Sequence, residues 1–150
     1  MRIALYQPDI AGNVGTILRL GACMGVGVDL IEPMGFAFGD RAMARAGMDY
    51  AQAADVVRHA DWEAFEAQRT GRLVLLTTKS AESLYDASFA PDDILLFGRE
   101  GAGVPDSVHD RADLRVTIPM RAGFRSLNVA VAAAMTLGEA LRQTGLPSAD

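Results

Sequence analysis

Hydrophobic residues recur along this chain in short runs: Ile3–Tyr6, Val28–Ile31, Asp55–Arg58, Leu73–Thr77, Ile94–Phe97 and Leu114–Ile118. Several of these are continuous rather than alternating, which marks strands covered on both faces, as in a parallel sheet. Helical patterns fall between them. Val14, Ile17, Leu18 and Gly21 share one helical stripe. Asp61 predicts an N-cap for a helix over Trp62–Arg69 that closes at Gly71. A long helix is expected over Leu127–Gln143, ending before Gly145 and Pro147, with Ser126 and Asn128 about its first turn; a well-capped buried helix with Ser126 as N-cap is the plainer reading of that start. Strand and helix alternate, so the expected fold is α/β, a parallel sheet flanked by helices. No repeat or linker interrupts the pattern, and only residues 147–150 read as frayed.

Composition narrows the class. A chain of 150 residues is the size of one domain, expected here to span 1–150. Half of the residues are hydrophobic and 15 are glycine, which cluster at the ends of apolar runs. The net charge of -5 argues against coating nucleic acid by bulk electrostatics. Local basic patches remain: Arg41, Arg45, Arg58 and His59 in one region, Arg121 and Arg125 in another. The single cysteine, Cys23, excludes an intramolecular disulfide and a cysteine-based zinc site. His59 and His109 lie far apart with no carboxylate pattern beside them, so no metal site is expected. The first residues lack a secretory signal pattern, and no apolar stretch reaches the roughly 20 residues of a membrane span. A cytoplasmic protein is expected.

Three segments carry candidate chemistry. Asn13-Val14-Gly15-Thr16-Ile17-Leu18-Arg19 follows the first strand, where a dinucleotide-binding fold would place G-x-G-x-x-G, and that fingerprint is absent. Arg19 points away from the buried stripe, either as a solvated surface side chain or as a guanidinium for a phosphate. In Phe97-Gly98-Arg99-Glu100-Gly101-Ala102-Gly103, a buried strand ends in closely spaced glycines around one carboxylate. Glycines there permit close approach to a ligand, and Glu100 is suited to accept from a ribose hydroxyl or to hold an arginine. No Lys-Ser/Thr follows, so this is not a P-loop. The third segment runs from Ile118-Pro119-Met120 to Arg125-Ser126-Leu127-Asn128, where a strand and a loop open into an alanine-rich helix. Helix amino ends present free N–H groups and partial positive charge, and polar side chains at such a mouth suit a polar ligand. Leu76-Thr77-Thr78-Lys79 ends another strand and is neutral by itself.

In this order the three segments resemble the SPOUT superfamily of RNA methyltransferases, in its 2′-O-ribose branch. Tyr6-Gln7-Pro8-Asp9-Ile10, Ile31-Glu32-Pro33-Met34-Gly35-Phe36 and Arg45-Ala46-Gly47-Met48-Asp49-Tyr50 are similar to the small methyltransferases of the tRNA wobble nucleotide, cytidine or uridine. The resemblance covers almost the whole chain. It implies a parallel sheet with a deep C-terminal trefoil knot, a homodimer without a separate RNA-binding domain, and a tRNA anticodon stem-loop as partner. It also implies S-adenosylmethionine as cofactor, leaving as S-adenosylhomocysteine. Transferred to this chain, the cofactor pocket is Leu76, Thr77, Thr78, Gly98, Glu100, Gly103, Ile118, Met120, Ser126, Leu127 and Val131. The catalytic set is Arg19, commonly supplied by the partner subunit, with Asn13, Glu100, Ser126 and Asn128 positioning it and the ribose. Arg19, Arg41, Arg45, Arg121 and Arg125 are the arginines expected to meet RNA. Two positions depart from close members: Arg99 stands where Gly-Pro-Glu is common, and Gly138 where some carry tyrosine.

Other readings stay open at this point. The same chemistry on another RNA, such as a ribosomal loop, fits the same residues. A non-catalytic RNA- or nucleotide-binding domain of this fold has no need of the full polar set. A flavodoxin-like protein predicts flavin binding and an unknotted chain.

Overall fold

The computed structural model describes residues 1–47, 50, 52–79 and 82–148. Met48 and Asp49 of the run 45–50, and Ala149 and Asp150 of the expected frayed end, lie outside the described residues. The strands are β1 (Arg2–Tyr6), β2 (Gly27–Ile31), β3 (Val56–His59), β4 (Leu73–Leu76), β5 (Glu82–Ser83), β6 (Ile94–Phe97) and β7 (Leu114–Thr117). The helices are α1 (Ala11–Met24), α2 (Arg41–Gly47), α3 (Trp62–Gln68), α4 (Asp106–His109) and α5 (Val129–Thr144). The six expected strands and three expected helices are present within a residue or two of their expected bounds. The sequence pattern did not reveal β5, α2 and α4. Each is too short for a periodicity to develop.

All strand pairs are parallel, in the order β3-β2-β1-β6-β4-β7-β5. The two faces bury alternate residues of the same strands. Ile3, Leu5, Val74, Leu95 and Phe97 pack with α1 and α5. Ala4, Tyr6, Leu73, Leu75, Ile94 and Leu96 pack with Phe65 of α3 and Val108 of α4. Both faces are covered, which is why the runs are continuous rather than alternating. One charge interrupts β2. Asp29 is buried, and its carboxylate is satisfied by Arg2 Nε at 2.6 Å and His59 Nε2 at 2.8 Å. A buried carboxylate without such partners would be costly.

The start of α5 differs from expectation. Asn128, not Ser126, is the N-cap: its Oδ1 accepts from the N–H groups of Ala130 and Val131 at 2.8 and 3.2 Å. Asparagine is among the strongest N-caps, and capping here leaves Ser126 in the preceding loop. Asp61 caps α3 as expected, accepting from Ala64 N at 2.7 Å.

Helices α1 and α2 meet at Gly15. A Cβ there would lie 2.1 Å from the Met43 carbonyl oxygen and 2.9 Å from the Ala46 Cβ. Backbone occupies the space, so no side-chain rotation relieves the clash. Gly15→Ala is therefore expected to destabilise by about 1–3 kcal/mol, read as a lower urea midpoint with an unchanged slope. An unshifted midpoint would show that the two helices separate freely.

Candidate active site

Every strand of a parallel sheet ends on the same edge, and ligands bind in the crevice beyond those carboxyl ends. Here the loops after β4, β6 and β7 and the start of α5 enclose a cavity of about 350 Å³. That lies within the usual range of small-molecule sites. Leu75, Leu76, Ile118, Met120, Leu127 and Val129 give it apolar walls, and Thr77, Thr78, Glu100 and Ser126 give it polar ones. The loop after β6 folds back on itself through reciprocal hydrogen bonds between Arg99 and Gly103 at 3.0 and 2.9 Å. A Cβ on Gly98 would lie 2.5 Å from the Gly103 carbonyl carbon, so this close return requires glycine.

The Glu100 side chain leaves this loop for the amino end of α1. Ile10 precedes that helix and offers no capping side chain. The Glu100 carboxylate grips the chain just before the helix from about 90 residues away: Oε2 accepts from Asp9 N at 2.8 Å and Oε1 from Ile10 N at 3.3 Å. Oε1 also accepts from Asn13 Nδ2 at 3.2 Å. This sets both amides in turn. An ionised carboxylate only accepts, so Asn13 presents its oxygen elsewhere, and Asn128 Nδ2 donates to it at 3.0 Å. The chain Glu100–Asn13–Asn128 thus ties the loops after β1, β6 and β7 together. Arg99 reinforces it with two bonds to the Asp9 carboxylate, at 3.3 and 2.8 Å. The hydrogen bond to Asp9 and its charge raise the Arg99 pKa above the ordinary arginine value.

Of the residues expected to form the pocket, Leu76, Thr77, Thr78, Gly98, Glu100, Gly103, Ile118, Met120, Ser126 and Leu127 line the cavity. Val131 does not: it lies on the exposed side of α5, and Val129 and Ala132 form the wall instead. Asn13 and Asn128 stand behind Glu100 rather than at the wall. Arg19 is exposed on α1, with its guanidinium 5.3 Å from the Tyr50 ring centroid, and does not line the cavity of its own chain. Arg41 and Arg45 are exposed on α2, and Arg121 and Arg125 are exposed in the loop leading into Ser126.

His109 is a wall residue that sequence reasoning treated as ordinary. Its Nδ1 lies 3.3 Å from Arg115 Nε, and arginine only donates, so Nδ1 accepts and a neutral ring carries its proton on Nε2. Nothing in the local sequence marks it, because a four-residue helix and a distant strand arginine create its setting. Among the described residues no cluster of three or more His, Cys, Asp or Glu side chains is arranged for a metal, and no helix is long and apolar enough to cross a membrane.

The residues fit S-adenosylmethionine. The apolar wall suits adenine, the threonines and Ser126 suit ribose and amino-acid ends, and the glycine loop admits close backbone contact.

Comparison with known proteins agrees. The model of the SpoU rRNA Methylase family matches residues 1–138. A tRNA (cytidine(34)-2'-O)-methyltransferase from Beijerinckia indica subsp. indica is 60% identical over 146 residues, covering 95% of this chain and 91% of the relative. A solved structure concerning the 2-OH methylation of C/U34 on tRNA superposes with a TM-score of 0.90 at 40% identity, over 95% of this chain and 94% of the other. The SpoU methyltransferase AviRb from Streptomyces viridochromogenes, solved in complex with the cofactor AdoMet, matches with a TM-score of 0.82 at 27% identity. That match covers 95% of this chain and 60% of the other.

Glu100→Gln sets an NH2 group against donors and leaves one acceptor oxygen for three N–H groups where the carboxylate offers two. It is expected to cost about 1–3 kcal/mol, measured as a fall in the denaturant midpoint. Stability equal to that of the parent chain would show that the carboxylate does not hold the loops.

Proposed function

The chain belongs to the SpoU rRNA Methylase family, and we propose that it methylates the ribose 2′-hydroxyl of the wobble nucleotide, cytidine or uridine, in the anticodon loop of tRNA. The reading rests on one coincidence. The cavity and the Glu100–Asn13–Asn128 chain occupy the sheet edge of a chain 60% identical to a relative named for this reaction. The cofactor is S-adenosylmethionine, which supplies a methyl group already activated on a sulfonium.

The protein's part is orientation and the handling of one proton. The ribose oxygen forms a bond to the methyl carbon as the sulfur–carbon bond breaks. The electron pair stays on sulfur, giving S-adenosylhomocysteine, and the hydroxyl proton leaves toward a neighbouring phosphate or water. Thr77, Thr78, Gly98, Gly103 and Ser126 hold the cofactor within the apolar wall. Glu100, Asn13 and Asn128 fix the three loops, so the reacting atoms meet at a set distance. Arginine stays protonated at all ordinary pH values, so Arg19 acts by binding phosphate and orienting the ribose rather than as a base.

Arg19 stands outside the cavity of its own chain, which supports a site completed across a homodimer by the partner subunit. The exposed apolar side chains Ile10, Val131 and Met135 support the same arrangement. The C-terminal trefoil knot belongs to this reading as well. It is supported by β7 lying between β4 and β5 while α5 returns to pack beside α1. Action in the cytoplasm, on tRNA after transcription, follows from the substrate.

The test is transfer of labelled methyl to tRNA lacking wobble methylation, with nuclease mapping of the product. Label at the wobble ribose is the expected result, and label confined to another RNA would overturn the substrate. Arg19→Ala is expected to lower the rate by several powers of ten with nearly unchanged cofactor affinity by calorimetry. Unchanged methyl transfer would remove Arg19 from the site.

A further inference from the structure

The loop between β7 and α5 contains a feature that cofactor binding leaves unexplained. Arg121 to Phe124 form a tight turn closed by Phe124 N donating to Arg121 O at 3.3 Å. Its third residue, Gly123, has φ +92°, the backbone of a type II turn that favours glycine at that place. The turn carries Phe124 at its end, a residue 69% exposed. Two residues later, Ser126 and Leu127 are cavity wall. Arg121 and Arg125 stand on either side of Phe124 in the sequence, both exposed, and among the described residues neither side chain makes an ion pair or hydrogen bond. Most other arginines are paired: Arg2, Arg58, Arg69, Arg72, Arg99 and Arg142 each hold a carboxylate.

We propose that Phe124 is a stacking platform for an unpaired base of the anticodon loop, with Arg121 and Arg125 holding the phosphates on either side. The proposal rests on the RNA substrate named above and adds the residue that grips it. Single-stranded RNA is recognised by bases splayed onto aromatic rings, and stacking is tolerant of base identity. A phenyl ring between two cations matches a base between two phosphates. The arginines on both sides of Phe124 in the sequence favour a phosphate-bearing partner over an apolar patch on a second copy of the chain. Stacking also suits a chain of net charge -5, because its strength does not depend on charge.

The experiment compares Phe124→Ala and Phe124→Trp with the parent chain on an anticodon stem-loop RNA. Sedimentation and cofactor calorimetry are run in parallel. Loss of one stacked base is worth roughly tenfold or more in binding. Phe124→Ala is expected to raise KM for the RNA by about that factor with kcat, cofactor affinity and oligomeric state unchanged, and Phe124→Trp is expected to restore KM. The loss is expected to be equal at low and high salt, whereas Arg121→Ala and Arg125→Ala flatten the salt dependence. An unchanged KM for Phe124→Ala overturns the proposal. So does a shift in sedimentation, which would seat the ring on a second copy, or a Trp variant as impaired as Ala. If the parent chain itself fails to methylate the stem-loop, the substrate reading fails, not the platform alone.

Discussion

The carboxylate of Glu100 is the constraint on which the site depends. Helix α1 begins with no capping side chain of its own, so its first N–H groups need an acceptor from elsewhere. Glu100 fixes the chain that leads into α1, accepting from the Asp9 and Ile10 N–H groups across the boundary between β1 and β6, where the strand order changes direction. The same oxygen that accepts from Ile10 N orients Asn13, and Asn13 orients Asn128, which caps α5. Two helix amino ends are therefore set by one carboxylate and two amides. A polar network is worth having only when its members are satisfied, and here the Asp9 and Ile10 N–H groups and both asparagine amides each donate to an acceptor.

The sheet determines where this can happen. Parallel strands with both faces covered leave no open face for a ligand. Chemistry is confined to the edge where the loops emerge. The loops after β4, β6 and β7 carry glycine, threonine and serine, while the strands beneath them are nearly all apolar. A rigid layer thus holds loops rich in backbone polar groups, which suits the binding of a cofactor with an apolar ring at one end and charged groups at the other.

Acidic net charge and an RNA substrate are reconciled by how the charges are used. Most of the arginines are spent on carboxylates within the chain, and some of those pairs lie at the surface, where they contribute little to stability. Arg41, Arg45, Arg121 and Arg125 make no such pair among the described residues. They sit on α2 and on the loop beside the cavity. The charge available to RNA is therefore local, whatever the sum over the chain.

The sequence by itself determined the α/β class and the main elements, because burial on both faces writes itself as short apolar runs and helix packing as a stripe through Val14, Ile17, Leu18 and Gly21. It also singled out the glycine-bounded Glu100 and the Ser126–Asn128 mouth, because such residues serve no core. Only the tertiary structure decided what these residues touch. Glu100 meets Asp9 and Asn13 across about 90 positions, a pairing that no local spacing encodes. Whether Ser126 or Asn128 caps α5, a difference of two residues, depends on the fold: Asn128 caps it while donating to Asn13, and Val129 rather than Val131 meets the cavity. His109 reached the cavity wall because a four-residue helix and Arg115 of β7 brought it there. Local pattern records what each residue must avoid, water or burial. The partner it finds depends on which strand ends the fold brings side by side.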